Sequence, residues 1–145
     1  MANTNVPYFL QSLGIGPVSF ANADSANTKK TLVTGGTNTS KVVAVTATNT
    51  DGANAYVAQL WLVRSSTAYL LTSVNIPVNS GSDGTAAGID IMNALFAGLP
   101  ISSGSTGFEQ QSYIPLQAND LLQVSLTTQV AATKTVYVVA TFGNY

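Results

Sequence analysis

The chain has 145 residues, five Lys or Arg, six Asp or Glu, and a formal net charge of −1. This length suits one compact domain that buries its own apolar core. Charged residues make up 8% of the chain, about one third of the usual fraction in soluble proteins. Neutral Ser, Thr and Asn side chains, or partner proteins, must therefore cover much of the surface.

The chain contains neither Cys nor His. Without Cys there is no disulfide framework, thiolate nucleophile or Cys-type zinc site. Without His there is no Ser-His-Asp hydrolysis and no His-ligated metal site. The five cationic residues are scattered along the chain, whereas nucleic-acid binding needs them clustered. We expect no cofactor, no metal and no nucleic-acid partner.

Residues 1–30 differ in character from the rest of the chain. The first ten lack the basic region of a signal peptide, so none is expected, and no apolar run approaches the roughly 20 residues of a membrane helix. Prolines and glycines at Pro7, Gly14, Gly16 and Pro17 interrupt every regular pattern. We predict an irregular N-terminal arm over residues 1–30, followed by one domain over residues 31–145.

Hydrophobicity with a period of two, carried by β-branched residues, then predicts strands. Residues 41–48 form one, ending at the turn signal of residues 49–52. Residues 55–64 carry apolar side chains on both faces, which favours a central or interface strand. Residues 68–76 follow after a short polar link, so these two strands should form an antiparallel hairpin.

One short helix is predicted over residues 89–98. Apolar side chains recur there at helical offsets, and Gly98 and Pro100 would end the helix. Asp90 is placed to cap its start or to favour the positive end of its dipole.

Two clean strands, residues 121–128 and 135–142, close the chain, and the connection of residues 129–134 predicts a hairpin between them. Short strands separated by turns, with one helical interruption, indicate an all-β fold. We predict a β-sandwich of jelly-roll or Greek-key type, with a closed barrel as the alternative.

The six carboxylates show no catalytic spacing. All but Asp90 fall in predicted turns or loops, where Asp ordinarily accepts hydrogen bonds from backbone amides. No pair has the fixed facing arrangement of a glycosidase, and no loop matches the acidic spacing of an EF-hand. We therefore predict no catalytic residue, no metal ligand and no enzymatic activity.

Aromatic and apolar residues outside the predicted core are candidates for partner binding. The aromatic N-terminal stretch is either a strand tucked against its own domain or an arm that docks on a neighbouring subunit. Low charge favours the second, because interface cores are depleted in charged residues and enriched in aromatic ones. A lone Trp in a strand belongs to the core or to an interface. The candidate partner-binding residues are Val6, Pro7, Tyr8, Phe9, Leu10, Trp61 and Tyr145.

Four segments, taken in order, resemble the capsid decoration (cement) proteins of tailed bacteriophages. They are residues 32–42 (LVTGGTNTSKV), 60–81 with the motifs LWLV, YLL and IPVNSG, 89–99, and 114–120 with IPL and ND. The resemblance implies a non-enzymatic virion protein, made in the host cytoplasm, that binds the major capsid protein on the capsid exterior. It also implies a homotrimer and an N-terminal arm, here residues 6–10, that grips neighbours.

A second hypothesis is a receptor- or glycan-binding module. Jelly-roll sandwiches also serve as lectins and fibre tips, and the fold by itself does not decide function. Aromatic rings that would stack on sugars in such a module are Tyr56, Trp61, Tyr69 and Tyr113.

Overall fold

Two antiparallel sheets pack face to face in the computed structural model, which describes residues 10–96 and 113–145. One sheet has five strands and the other has four. The strands are β1 (Ser12–Ala21), β2 (Lys30–Thr34), β3 (Thr39–Asn49), β4 (Tyr56–Arg64), β5 (Thr67–Ile76), β6 (Ile89–Asp90), β7 (Ile114–Gln117), β8 (Leu121–Leu126) and β9 (Thr135–Asn144).

The strand order is that of a jelly roll. The five-stranded sheet runs β1-β9-β3-β6, with β7 also paired to β3, and the four-stranded sheet runs β2-β8-β4-β5. Strands from the two ends of the chain alternate in each sheet, which is how a long hairpin wraps into a double-sheet jelly roll. The expected all-β sandwich is confirmed.

The core lies between the sheets, where alternate side chains of every long strand point inward. In β9, for example, Val136, Val138 and Ala140 are buried while the residues between them lie nearer the surface. The largest fully buried side chains are Phe20, Leu60, Ile76, Ile91, Leu116 and Leu122.

The predicted hairpin between β4 and β5 is present, with Arg64 paired to Thr67 across a two-residue turn. Both turn residues, Ser65 and Ser66, have positive φ angles of 50° and 65°. Two positive φ angles define a type I′ turn, whose twist matches that of the flanking strands. Serine fills positions that usually hold Asn and Gly.

The predicted helix is shorter at its start, because Ile89 and Asp90 form β6 instead. The helix α1 covers Ile91–Phe96. The Asp90 carboxylate accepts hydrogen bonds from the backbone N–H groups of Met92 and Asn93 at 2.9 and 3.2 Å, so Asp90 is the N-cap. The predicted stop at Gly98 and Pro100 lies outside the described residues.

Irregular structure was expected throughout the N-terminal arm, and for residues 12–21 this expectation was wrong. They form β1, which pairs with β9 over ten residues. A β-carbon on Gly16 would lie 1.8 Å from the carbonyl oxygen of Leu32, so glycine permits close approach to β2. Pro17 is tolerated because β1 is an edge strand among the strands that the structure describes.

The predicted hairpin between the last two strands was also wrong. Strand β8 pairs with β2 and β4, whereas β9 pairs with β1 and β3 in the opposite sheet. The connection between them buries Val130 and crosses from one sheet to the other. Its length alone does not distinguish this crossing from a hairpin.

Candidate interaction surface

The outer face of the five-stranded sheet exposes large apolar side chains. On β1, Leu13 is 75% exposed and Ile15 is 68% exposed. The register aligns odd-numbered residues of β1 with odd-numbered residues of β9 on this face, including Tyr137 opposite Ser19. Exposed large apolar or aromatic residues on this outer face are Leu10, Leu13, Ile15, Val43, Tyr113 and Tyr137. These exposed apolar groups make the outer face the candidate interaction surface.

Charge is sparse on the same face. Lys41 lies beside Gly143 in the register, and its ammonium group is 4.5 Å from the ring centre of Tyr145 and 5.0 Å from that of Tyr113. These are cation–π distances, so the rings partly mask its charge. Asp90, at the rim, is engaged in capping the helix. The face therefore presents mostly neutral groups to solvent.

Two of the candidate partner-binding residues come together on this face. A β-carbon on Gly143 would lie 2.6 Å from Leu10 Cδ1 and 3.6 Å from Tyr145 Cε2. Leu10 and Tyr145 thus flank the same backbone position, beside Lys41. The other N-terminal candidates, Val6, Pro7, Tyr8 and Phe9, lie outside the described residues.

Trp61 lies elsewhere, on the outer face of the four-stranded sheet. Its Nε1–H donates to Ser125 Oγ at 3.0 Å, and the Lys29 ammonium lies 4.4 Å from its ring centre. Leu70, half exposed, is its cross-strand partner on β5. Trp61 therefore forms no common surface with Leu10 and Tyr145.

The backbone edge of β1 is a second feature of the surface, because β1 pairs with β9 alone among the described residues. The Tyr145 N–H donates to Thr39 O at 2.9 Å. Alternate residues of an antiparallel strand turn their backbone groups to opposite sides, so even-numbered β9 residues face β1. Their partners on β1 are also even-numbered. Leu13, Ile15, Pro17 and Ser19 consequently direct their backbone groups toward the open edge.

Half of that edge is protected against further strand pairing. Pro17 has no N–H to offer. The Lys30 ammonium donates to the Ser19 carbonyl oxygen at 2.6 Å and also pairs with Asp24 at 2.8 Å. Proline and lysine are typical blocks on edge strands. The unblocked part of β1 is the stretch with Leu13 and Ile15.

Asp51 organises a buried turn. It accepts hydrogen bonds from the Ala53 and Asn54 backbone, from the Asn54 side chain, and from the Tyr56 hydroxyl at 2.7 Å. The Asn54 side chain, followed by the Tyr56 hydroxyl, holds the pKa of the Asp51 carboxyl well below its usual range. The Tyr56 hydroxyl in turn accepts from the Ala131 N–H at 2.9 Å.

The other described carboxylates also have structural partners. Asp120 forms a two-pronged ion pair with Arg64, whose shortest N–O distance is 2.6 Å, and accepts from the Gln117 N–H. The Arg64 side chain, as the main cause, lowers the pKa of Asp120. Asp83 accepts from two backbone N–H groups of its own loop, which lower its pKa. Glu109 lies outside the described residues.

Leu13, Ile15, Val43 and Tyr137 were not among the candidates from sequence. A signal for the first two was present, since Leu13 and Ile15 alternate with Gly14 and Gly16 at the period of a strand. Val43 is exposed because a bulge interrupts the register between Val42 and Ala44. Such a bulge has no distinct sequence pattern here.

No family model matches the chain, and no relative is found among curated proteins. Among solved structures, the chain is similar to a chain of the cyanophage Pam1 capsid asymmetric unit. The two are 13% identical, with a TM-score of 0.45, over 92% of this chain and 84% of that one.

Proposed function

We propose that this protein is a structural virion protein that binds the outer surface of a phage capsid as a decoration or cement protein. The observation that carries the proposal is the outer face of the five-stranded sheet, which displays exposed apolar side chains with few charges. Many copies bound to one closed shell would gain avidity from individually weak contacts. The sequence resemblance to decoration proteins supports the same function.

A non-enzymatic role is part of the proposal. The described carboxylates that have resolved partners accept hydrogen bonds from turns, a helix start or basic side chains. These hydrogen bonds stabilise the fold and occupy those carboxylates with partners inside the protein. General acid–base catalysis instead needs a carboxyl group within hydrogen-bond reach of a bound substrate.

The glycan-binding alternative is less well supported by the positions of the aromatic rings. Tyr56 is 3% exposed and buries its hydroxyl between Asp51 and Ala131. Trp61 and Tyr69 occupy successive register positions on β4 and β5, paired with Leu70 and Leu62 respectively. Successive positions point to opposite faces of a sheet, so these two rings do not form one sugar platform.

The resemblance implies a homotrimer. The apolar side chains on both faces of residues 55–64 also favour contacts between subunits. In the structure this segment is β4, a central strand between β8 and β5. One face of it lies in the core and the other is half-buried. Both faces of residues 55–64 are therefore explained by an internal position in the sheet, which does not indicate how many subunits assemble.

The test is rebinding of the purified chain to particles that lack it. The double substitution V43S/Y137S removes two exposed apolar groups from the proposed face, and Y69S is the matched control on the other sheet. We expect the double variant to weaken retention at least tenfold, a loss of about 1.4 kcal/mol, with the control unchanged. Equal retention of all three proteins would overturn the proposal, as would failure of the unaltered chain to bind.

A further inference from the structure

We infer that a second copy of this chain pairs with the open edge of β1, antiparallel and two-fold symmetric, with Leu13 opposite the partner's Ile15. This inference concerns the free protein and does not depend on capsid binding. It starts from two properties of one stretch of β1. Its backbone groups point outward with no strand partner among residues 10–96 and 113–145, and its side chains are among the most exposed apolar groups of that part of the chain.

The available backbone groups select the register. Only odd-numbered β1 residues face the edge, so the pairing residues of both copies are odd-numbered. Placing Ile15 opposite the partner's Ile15 would set Leu13 against Pro17, which lacks an N–H. Placing Leu13 opposite the partner's Leu13 would set Ile15 against Gln11, whose N–H already donates to Asn144 O at 2.8 Å. Leu13 opposite Ile15 instead sets Gln11 against the partner's Pro17, so the two residues that cannot donate lie opposite each other at the ends of the ladder.

This register provides matched contacts on both sides of the axis. Leu13 and Ile15 of each copy exchange N–H and C=O bonds with their opposite residues, giving four backbone hydrogen bonds. The four side chains lie together on the outer face, as cross-strand neighbours do. Gly14 meets the partner's Gly14 on the axis, where the absence of side chains allows close approach.

Charge does not oppose the pairing. Strand β1 contains no charged residue, and the nearby Asp24–Lys30 ion pair lies at Ser19, beyond the four-bond ladder. Pro17 and Lys30 together restrict pairing to the N-terminal half of the strand. A short, defined ladder is therefore favoured over unlimited edge-to-edge association.

The contact is small. Stable protein interfaces bury roughly 1,200–2,000 Å², and a ladder of two residues per copy with four apolar side chains buries less. We expect a reversible dimer with a Kd on the order of 10 µM, close to the range of weak transient complexes.

The test uses sedimentation equilibrium of the full chain between 1 and 200 µM. L13E and I15K each place a charge against an apolar group across the axis, and each alone should weaken the dimer at least tenfold. Mixing the two variants sets the introduced carboxylate opposite the introduced ammonium and keeps one Leu–Ile contact. The mixture should therefore form a heterodimer. V43K, at an exposed site on the same outer face but away from the edge, is the control and should dimerise normally.

A second measurement does not depend on charged variants. The chain has no Cys, so L13C and I15C each introduce a single thiol. Directly opposed residues have Cα atoms about 5.5 Å apart, within disulfide range. Oxidation of the mixed variants should give a crosslinked heterodimer in preference to either homodimer.

Three results would overturn the inference. They are a monomer throughout the concentration range, a trimer, or a dimer that both single variants leave intact. Unchanged capsid retention of V43S/Y137S, which would overturn the capsid proposal, would not affect this inference, because those positions lie outside the ladder. The two proposals therefore fail separately.

Discussion

The backbone of Gly16 lies directly against the carbonyl of Leu32, so close that a β-carbon on Gly16 would approach that oxygen to 1.8 Å. This contact joins β1 of one sheet to β2 of the other at the rim of the sandwich. The neighbouring atom belongs to the main chain and has no rotamer by which to move away. Glycine at this position therefore determines how closely the two sheets meet.

Replacement of Gly16 by Ala should destabilise the fold by about 2 kcal/mol, because overpacking of a tight site costs about 1–3 kcal/mol. Urea unfolding with S19A as the control measures it, since Ser19 is exposed on the same strand. The control should change stability by less than about 0.5 kcal/mol. Equal stability of G16A and S19A would show that the sheets do not meet as described.

The hydroxyl of Tyr56 should contribute strongly to stability. It donates to Asp51 Oδ2 and accepts from the Ala131 N–H. Y56F therefore leaves the Ala131 N–H without its partner, and leaves Asp51 Oδ2 with the Asn54 side chain as its remaining donor. We expect a loss of about 2 kcal/mol, the usual cost of an unsatisfied buried group. Y69F, at a half-exposed tyrosine, is the control. A loss no greater than that of Y69F would contradict the hydrogen-bond assignment.

Stability should be nearly independent of pH around neutrality and fall in acid. Hydrogen bonds and ion pairs lower the pKa values of Asp24, Asp51 and Asp120 in the folded state. A carboxyl with a lowered folded pKa stabilises the fold above its unfolded pKa, about 3.9, and loses that contribution as pH falls toward the folded value.

Thermal melting across pH 2 to 8 checks this dependence. No His is present to titrate near pH 6, so Tm should be level from about pH 5 to 8 and decline below about pH 4. D51N should flatten part of the acid decline as well as lower Tm at pH 7. A steep change of Tm between pH 5 and 7 would contradict this account.

The β4–β5 turn offers a stabilising substitution. Ser66 has a φ of 65°, a conformation that costs a residue with a side chain more than it costs glycine. S66G should therefore stabilise the protein by about 0.5–1 kcal/mol. Ser73→Gly, within β5, should have the opposite effect because glycine weakens a strand interior. Urea unfolding of both variants shows whether the two changes in the free energy of unfolding have opposite signs.

Sequence patterns recovered those elements whose signals are local. Alternation of apolar residues located β3, β4, β5, β8 and β9 to within a few residues, and the polar link at Ser65 predicted the correct hairpin. Asp90 was correctly identified as a candidate cap. Each of these features depends on residues that are close to one another in the sequence.

Features decided by distant contacts were not predictable in the same way. In the sequence, Gly16 interrupts the local pattern and predicts irregular structure. In the fold, it allows the backbone of β1 to lie against the carbonyl of Leu32. The connection after β8 reads as a hairpin loop, but burial of Val130 directs the chain into the opposite sheet. The candidate surface includes both cases. Tyr145 was identified as a candidate, whereas Ile15 was not, because its place on the outer face depends on the pairing of β1 with the distant β9.

Because the proposed function makes this chain a virion protein, quantitative mass spectrometry of the purified particles tests that function most directly. A decoration protein should be present in a fixed ratio to the major capsid protein, and surface protease should remove it without opening the shell. Absence of the chain from the particles, or only a few copies in each, would contradict the account.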